Sequence, residues 1–280
     1  MTSIAHALRQ VESRGMARLD AQWLLLHALG RPAQDRAWLL AHDLDVLAPE
    51  VLARFDALAR RRAAGEPLAY ITGRKEFFGL DLQVDARVLV PRPDTETLVE
   101  WALAVLDKEA AAQAPPVTIL DLGTGSGAVA LALKAARPAL RVSATDASAD
   151  ALQVARANAA RLQLAIEFMQ GSWLAPIGGR YHAIVSNPPY IAAQDPHLSA
   201  LTHEPLRALV SGEDGLHDIR QIILQARAHL HPGGWLLLEH GYDQAAAVRV
   251  LLQEAGFEDV QSRRDLGGIL RCSGGRAPAL

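Results

Sequence analysis

The segment Asp121-Leu122-Gly123-Thr124-Gly125-Ser126-Gly127 constrains this chain most. It follows a short apolar run, Val117 to Leu122, and opens a helical pattern reaching Ala136, so it reads as a strand, a tight turn and a helix. Three glycines at alternate positions let the backbone turn sharply and approach a ligand without Cβ interference, while the helix start presents unpaired N–H groups. The alternation continues downstream. Strand-like runs at Val142 to Thr145, Ile166 to Met169, Tyr181 to Ser186 and Trp235 to Glu239, with two more near Val260 and Ile269, are separated by helical patterns ending near Leu162, Leu230 and Ala255. About seven strands alternating with helices predict an α/β fold, a doubly wound sheet that binds ligands at the carboxyl ends of its strands.

The N-terminal part has a different texture. Apolar residues at three- and four-residue spacing, Ile4, Leu8, Val11 and then Trp23, Leu24, Leu26, predict a small helical bundle over residues 1–67, with Pro49 in the first turn of a helix through Val51, Leu52, Phe55 and Leu58. Residues 68–92 read as a β-hairpin linker, with short strands around Ile71-Thr72-Gly73, Phe77-Phe78-Gly79, Leu80 to Val84 and Val88-Leu89-Val90. The catalytic domain is then expected over 93–280, beginning with a helix from Thr95 to about Leu106 that Asp94 can cap. An alanine-rich stretch ending in Pro115-Pro116 separates that helix from the first buried strand.

Half of the 280 residues are hydrophobic, enough for one large α/β domain and a smaller module with its own core. A formal net charge of -3 gives no global attraction to a polyphosphate, so a protein or metabolite partner is expected and direct nucleic-acid binding is not. Cys272 is the only cysteine, which rules out an internal disulfide, and no Cys or Cys/His spacing predicts a metal site. The first residues mix Arg9, Glu12, Arg14, Arg18 and Asp20 and lack the apolar core of a signal peptide. No apolar stretch approaches the roughly 20 residues that cross a bilayer, so a cytoplasmic protein without membrane contact is expected. Arg60-Arg61-Arg62 reads as a solvated helix face, and His229 and His231 as residues near a helix end rather than metal ligands.

Two carboxylates shift the reading of the glycine turn from a dinucleotide to S-adenosylmethionine. Asp121, two residues before the first glycine, suits a cationic ligand and would repel a pyrophosphate. Asp146 ends the next strand, where it can accept hydrogen bonds from both ribose hydroxyls, a feature that nicotinamide-dinucleotide binders share. The strand Tyr181 to Ser186 runs into a second loop, Asn187-Pro188-Pro189-Tyr190. Two prolines in succession fix φ twice and remove both N–H donors, leaving an acceptor-only array. The side-chain oxygen of Asn187 and the Pro188 carbonyl can each accept one hydrogen of a planar NH₂ group. An amide nitrogen, whose lone pair is shared with the carbonyl, needs such help to attack a methyl group, and the Tyr190 ring can stack on the flat group.

These two segments resemble the class I methyltransferases that modify planar nitrogens. Adding Val90-Pro91-Arg92-Pro93-Asp94-Thr95-Glu96, Asp195-Pro196-His197-Leu198 and Leu236-Leu237-Leu238-Glu239-His240-Gly241, the chain resembles, from about Ala21 to Arg271, the bacterial protein-(glutamine-N5) methyltransferases that act on the Gly-Gly-Gln motif of class 1 peptide chain release factors. The resemblance implies a Rossmann-like seven-stranded catalytic domain and a helical N-terminal domain that helps bind the release factor. It implies S-adenosylmethionine as methyl donor, with S-adenosylhomocysteine as product, held by Asp121, Gly123, Thr124, Gly125, Ser126, Gly127, Asp146, Trp173 and Asn187. The substrate glutamine would be held by Asn187, Pro188, Pro189 and Tyr190, with Asn187, Pro188 and Tyr190 taking part in catalysis. Arg92 and Glu96 match the linker motif and are expected near the cofactor. The alternatives are an N6-adenine or other nucleobase methyltransferase, which poses the same geometric problem at an exocyclic amine, a module that only senses S-adenosylmethionine, and a nicotinamide-dependent dehydrogenase.

Overall fold

The structure, a computed structural model, describes residues 2–112 and 116–279. Pro115 and the two residues before it lie outside the described residues, so the break expected at Pro115-Pro116 is described only from Pro116. The chain divides into two compact units, one up to Arg74 and one from Lys75 onwards.

The first unit holds α1 (Ile4–Glu12), α2 (Arg18–Ala28), α3 (Arg36–Ala41), α4 (Pro49–Ala63) and α5 (Leu68–Thr72). The Ser3 side chain accepts the His6 N–H at 3.3 Å and starts α1, which buries Ile4, Ala7 and Val11 along one face. Pro49 sits in the first turn of α4, and Phe55 packs with Leu24, Leu25 and Leu26 of α2 in the core of this unit. Ile71 and Thr72, expected in a strand, belong to α5. Ile71 is buried in the helical core, and Gly73 closes the helix at φ +70°.

A hairpin follows, β1 (Arg74–Phe77) and β2 (Leu80–Gln83). Its two turn residues, Phe78 and Gly79, have φ of +50° and +77°, the double positive φ that matches a two-residue turn to the strand twist. Val88-Leu89-Val90 forms no strand, contrary to expectation. Val88 and Val90 are buried, but the Val90 N–H donates to the Glu204 carboxylate at 3.0 Å rather than to a neighbouring strand. The next helix, α6 (Glu96–Ala112), is entered through a 3₁₀ turn over Pro93–Thr95. Asp94 does not cap it; its carboxylate pairs with Arg271 at 3.3 Å.

The rest alternates as expected: β3 (Thr118–Leu122), α7 (Ala128–Ala136), β4 (Arg141–Asp146), α8 (Ala149–Leu162), β5 (Glu167–Gln170), β6 (Tyr181–Ser186), α9 (His217–Ala226), β7 (Leu230–Glu239), α10 (Ala245–Glu254), β8 (Glu258–Arg264) and β9 (Leu270–Arg276). The strands form one sheet in the order β5-β4-β3-β6-β7-β9-β8. All neighbours are parallel up to β7, and β9 enters antiparallel between β7 and β8. Both faces are covered, which is why the strands read as continuous apolar runs. Ile119, Ala183, Val185 and Leu237 point into the layer of α6 and α7, while Leu120, Ile184, Leu236 and Leu238 point into that of α9 and α10. Each fully buried aliphatic side chain contributes about 1.5–3 kcal/mol relative to exposure. Close packing also dictates small residues in β9, where a Cβ at Gly274 would lie 2.6 Å from the Leu236 carbonyl oxygen. No helix of the described residues is long and apolar enough to cross a membrane.

Candidate active site

Strand order reverses at β3, and the pairing of Leu122 with Ser186 makes the turn at Gly123 and the loop at Asn187 leave the sheet side by side. A crevice at such a switch point is where open α/β sheets bind ligands.

The glycine turn is shaped by backbone geometry. Gly123, Gly125 and Gly127 have φ of +68°, +55° and +85°, a region costly for any residue with a Cβ. A Cβ on Gly123 would also sit 3.2 Å from Cζ3 of Trp173, whose ring covers the start of the turn. Trp173 itself holds a positive φ of +47°, and its carbonyl accepts the Thr145 hydroxyl at 3.1 Å. Asp121, 2% exposed, faces inward: its Oδ2 accepts the Thr124 hydroxyl at 2.6 Å and the Ala130 N–H at 3.2 Å. Burial, with the neighbouring Asp146 adding to it, pushes the Asp121 carboxyl up to about 7 against these two hydrogen bonds. Asp146 braces the turn from β4, accepting the Gly125 N–H at 2.9 Å and the Ser148 N–H at 2.8 Å. An ionised carboxylate has about four lone-pair sites, so Asp146 keeps accepting capacity toward the crevice it lines.

The second loop is arranged differently. Asn187 Nδ2 donates to the Thr95 hydroxyl at 3.2 Å, and no donor among the described residues bonds Asn187 Oδ1 or the Pro188 carbonyl. The Tyr190 carbonyl, by contrast, is held by Gln244 Nε2 at 3.0 Å, and the backbone beyond it is clamped by Ile191 N–H to Leu209 carbonyl at 2.8 Å. Gly215 is required here, since a Cβ on it would lie 2.3 Å from the Tyr190 carbonyl oxygen. The loop is therefore stiff beyond Tyr190, while Asn187, which lines the cavity, and the buried Pro188 next to it each keep an oxygen without a donor among the described residues.

Behind it lies a charged cluster. Glu239, at the end of β7, is fully buried, and neither carboxylate oxygen has a hydrogen-bond partner among the described residues. Burial pushes its carboxyl up to about 7, opposed by the approaching Thr95 and Tyr190 hydroxyls and by the Arg271 guanidinium. Neither hydroxyl reaches full hydrogen-bond geometry with the carboxylate. Burial likewise drives the Tyr190 phenol well above its ordinary range. Arg271 is anchored to Asp265 at 3.2 Å, and Arg92 to the buried Glu204, whose other oxygen holds Val90.

Of the residues predicted from sequence, Gly123, Gly125, Asp146, Trp173, Asn187 and Pro189 line one cavity of about 260 Å³. Asp121, Thr124, Ser126 and Gly127 stand behind the turn, with Thr124 and Ser126 buried. Pro188 and Tyr190 follow on the loop, facing the cluster around Glu239 in the case of Tyr190. Glu96 points to the hairpin, where it accepts the Phe78 N–H at 3.1 Å. Sequence reading missed Thr95, Gln244 and Arg207, which donates to Ser148 Oγ at 2.6 Å on the cavity wall. It also missed Asn158, whose amide ties Gln83 of β2 to the Ser126 carbonyl behind the turn. A larger cavity of about 460 Å³ lies within the first unit, lined by Arg14, Met16, Asp20, Asp56 and Arg62. It touches no strand end or glycine turn, so we place the chemistry in the smaller one.

Comparison with known proteins gives two family matches, the PrmC N-terminal domain over residues 2–73 and the methyltransferase small domain over residues 103–260. A release factor glutamine methyltransferase of Burkholderia pseudomallei is 48% identical over 99% of this chain and 98% of its own length. One from Bordetella pertussis is 49% identical over 93% of this chain and 95% of its own. A crystal structure of a methyltransferase from Pyrococcus furiosus shares the fold, at a TM-score of 0.53 and 19% identity, covering 78% of this chain and 97% of that one.

Proposed function

The chain belongs to the release factor glutamine methyltransferases, and from that premise we infer that it transfers a methyl group from S-adenosylmethionine to the side-chain amide nitrogen (N5) of the glutamine in the Gly-Gly-Gln motif of class 1 release factors. The observation that carries the site assignment is the orientation of Asn187, bonded through Nδ2 to Thr95, with its Oδ1 and the Pro188 carbonyl left without donors among the described residues.

The residues fit the cofactor. The positive-φ glycines and the Trp173 ring leave an open wall that a Cβ would narrow, and Asp146 borders it with accepting capacity suited to ribose hydroxyls. S-adenosylmethionine supplies a methyl group on a sulfonium sulfur. In our reading Asn187 Oδ1 and the Pro188 carbonyl each accept one N–H of the substrate amide, which returns electron density to nitrogen and aims its lone pair. The new C–N bond would form as the methyl–sulfur bond breaks, and the nitrogen, strongly acidic once methylated, would pass its proton to water, so no strong base is needed before attack. Tyr190 lies against the flat amide. S-adenosylhomocysteine leaves as product, and the reaction runs in the cytoplasm, where release factors act.

The test is to incubate the protein with labelled S-adenosylmethionine and a purified class 1 release factor, then map the methyl group by mass spectrometry. We expect it on the Gly-Gly-Gln glutamine, appearing at least about a hundredfold more slowly with Asn187→Ala. Label on lysine or backbone would refute the mechanism, and label in nucleic acid with none in release factor would favour the adenine-directed reading.

A further inference from the structure

A buried carboxylate with no hydrogen-bond partner is costly, and native proteins rarely keep one without a use. Among the described residues Glu239 is such a group. The parallel pairing of Ser186 with Leu238 sets Asn187 and Glu239 side by side, each one residue beyond the last pair between β6 and β7. Thr95, 4% exposed, reaches the same place from the turn before α6, and accepts the Asn187 Nδ2 hydrogen at 3.2 Å.

We propose that Glu239 and Thr95 are positioning residues that fix which end of the Asn187 amide faces the substrate. A hydroxyl carries one proton and two lone pairs. Having accepted from Asn187, Thr95 has its own proton to give, and Glu239, ionised above about pH 7, can then only accept it. Donation then runs one way, from Asn187 through Thr95 to Glu239, and leaves Asn187 Oδ1 to the substrate. Rotating the amide by 180° would require Thr95 to donate to Asn187 instead. Glu239 would lose that donor, and the Asn187 NH₂ would meet the substrate NH₂, donor against donor. Hydrogen bonds of this kind are commonly long in a free enzyme and tighten when substrate is bound. The other groups facing Glu239 are Arg271 and Cys272 from β9, Asp94 from the turn before α6 and Tyr190 from the loop after β6, with Thr95 the one that also holds Asn187. The inference rests on the methyl-transfer reading above.

The test compares Thr95→Val, which keeps the volume and removes the hydroxyl, with Thr95→Ser, which keeps the hydroxyl, and with Glu239→Gln. The readouts are kcat and KM for methylation of purified release factor, Kd for S-adenosylmethionine by calorimetry, and Tm. Thr95→Val should lower kcat on the order of 10²-fold, as a misplaced reacting group does, with KM and Kd within about threefold of wild type. Thr95→Ser should return kcat to within about threefold, because a serine hydroxyl makes the same bonds. Glu239→Gln should lower kcat at least about tenfold at pH 8 yet raise Tm by about 2–4 °C, since it removes a buried charge. Wild-type kcat in Thr95→Val, or losses that track Tm and are equal in Val and Ser, would overturn the relay while leaving the function standing. A wild-type protein that binds S-adenosylmethionine but never methylates release factor would overturn both.

Discussion

The two loops that leave β3 and β6 occupy equivalent places on one sheet, yet their polar groups are used in opposite ways. In the glycine turn the acceptors first hold the turn itself: Asp121 takes the Thr124 hydroxyl and the Ala130 N–H, and Asp146 takes Gly125 and Ser148 while keeping lone pairs toward the crevice it lines. In the Asn-Pro-Pro-Tyr loop the acceptors are left over: among the described residues Asn187 Oδ1 and the Pro188 carbonyl lack donors, and the Glu239 carboxylate has no hydrogen-bond partner. A loop whose hydrogen bonds are closed holds a shape, which is what a cofactor wall needs. One with unspent acceptors stores the capacity to bind a donor, and here the donor we assign is an amide NH₂.

The contrast can be broken by experiment, and the largest effect is expected in the open loop. Asn187→Ala should lower kcat for release-factor methylation by about 10²–10³-fold, the loss typical of removing one preorganised polar contact, with cofactor Kd from calorimetry changed far less. A Kd loss of the same size would place Asn187 with the glycine turn instead. The next effect concerns stability. Asp121 and Glu239 both have carboxyls raised to about 7 by burial, so the native state binds protons that the unfolded chain has released. Their contribution is complete below the ordinary carboxylate range and is lost as pH rises to about 7 and beyond, on the order of 3 kcal/mol for each group. Urea unfolding at pH 5 and pH 8 should show this fall, and Asp121→Asn or Glu239→Gln should each flatten it.

In the closed loop the effect is smaller and falls on binding. Gly123→Ala puts a Cβ at positive φ and against Trp173, so Kd for S-adenosylmethionine should rise about tenfold, with kcat at saturation within about threefold. A kcat collapse with unchanged Kd would erase the distinction between the loops. The smallest effect belongs to Tyr190→Phe, which keeps the ring and removes a hydroxyl directed at Glu239. Its kcat should fall by no more than about fivefold if stacking is the main role of this side chain.

How much of this was legible in the sequence depends on how local the signal is. The glycine turn, Asp146 and the Asn187 to Tyr190 loop each sit at the end of an apolar run, and strand, turn and helix are neighbours in the chain, so their common placement follows from the alternation. Thr95, Gln244 and Glu239 come together only because α6 begins beside β6 and β7, and the start of α10 reaches over Tyr190. No spacing rule reports that. Arg271 joins them because β9 returns between β7 and β8, a reversal with no local sequence mark. The two misplaced strands have a common cause. In Ile71 and the run Val88 to Val90, β-branched apolar residues signal burial, whereas pairing needs a partner edge. Ile71 is buried by its helical neighbours and Val90 bonds to the Glu204 side chain.

The most direct measurement is a structure of the protein with S-adenosylhomocysteine and a Gly-Gly-Gln peptide from a class 1 release factor. The account predicts the glutamine amide nitrogen within about 2.7–3.2 Å of both Asn187 Oδ1 and the Pro188 carbonyl, on the side of the cofactor sulfur. An amide bonded to other groups, with those two oxygens turned away from the sulfur, would contradict it.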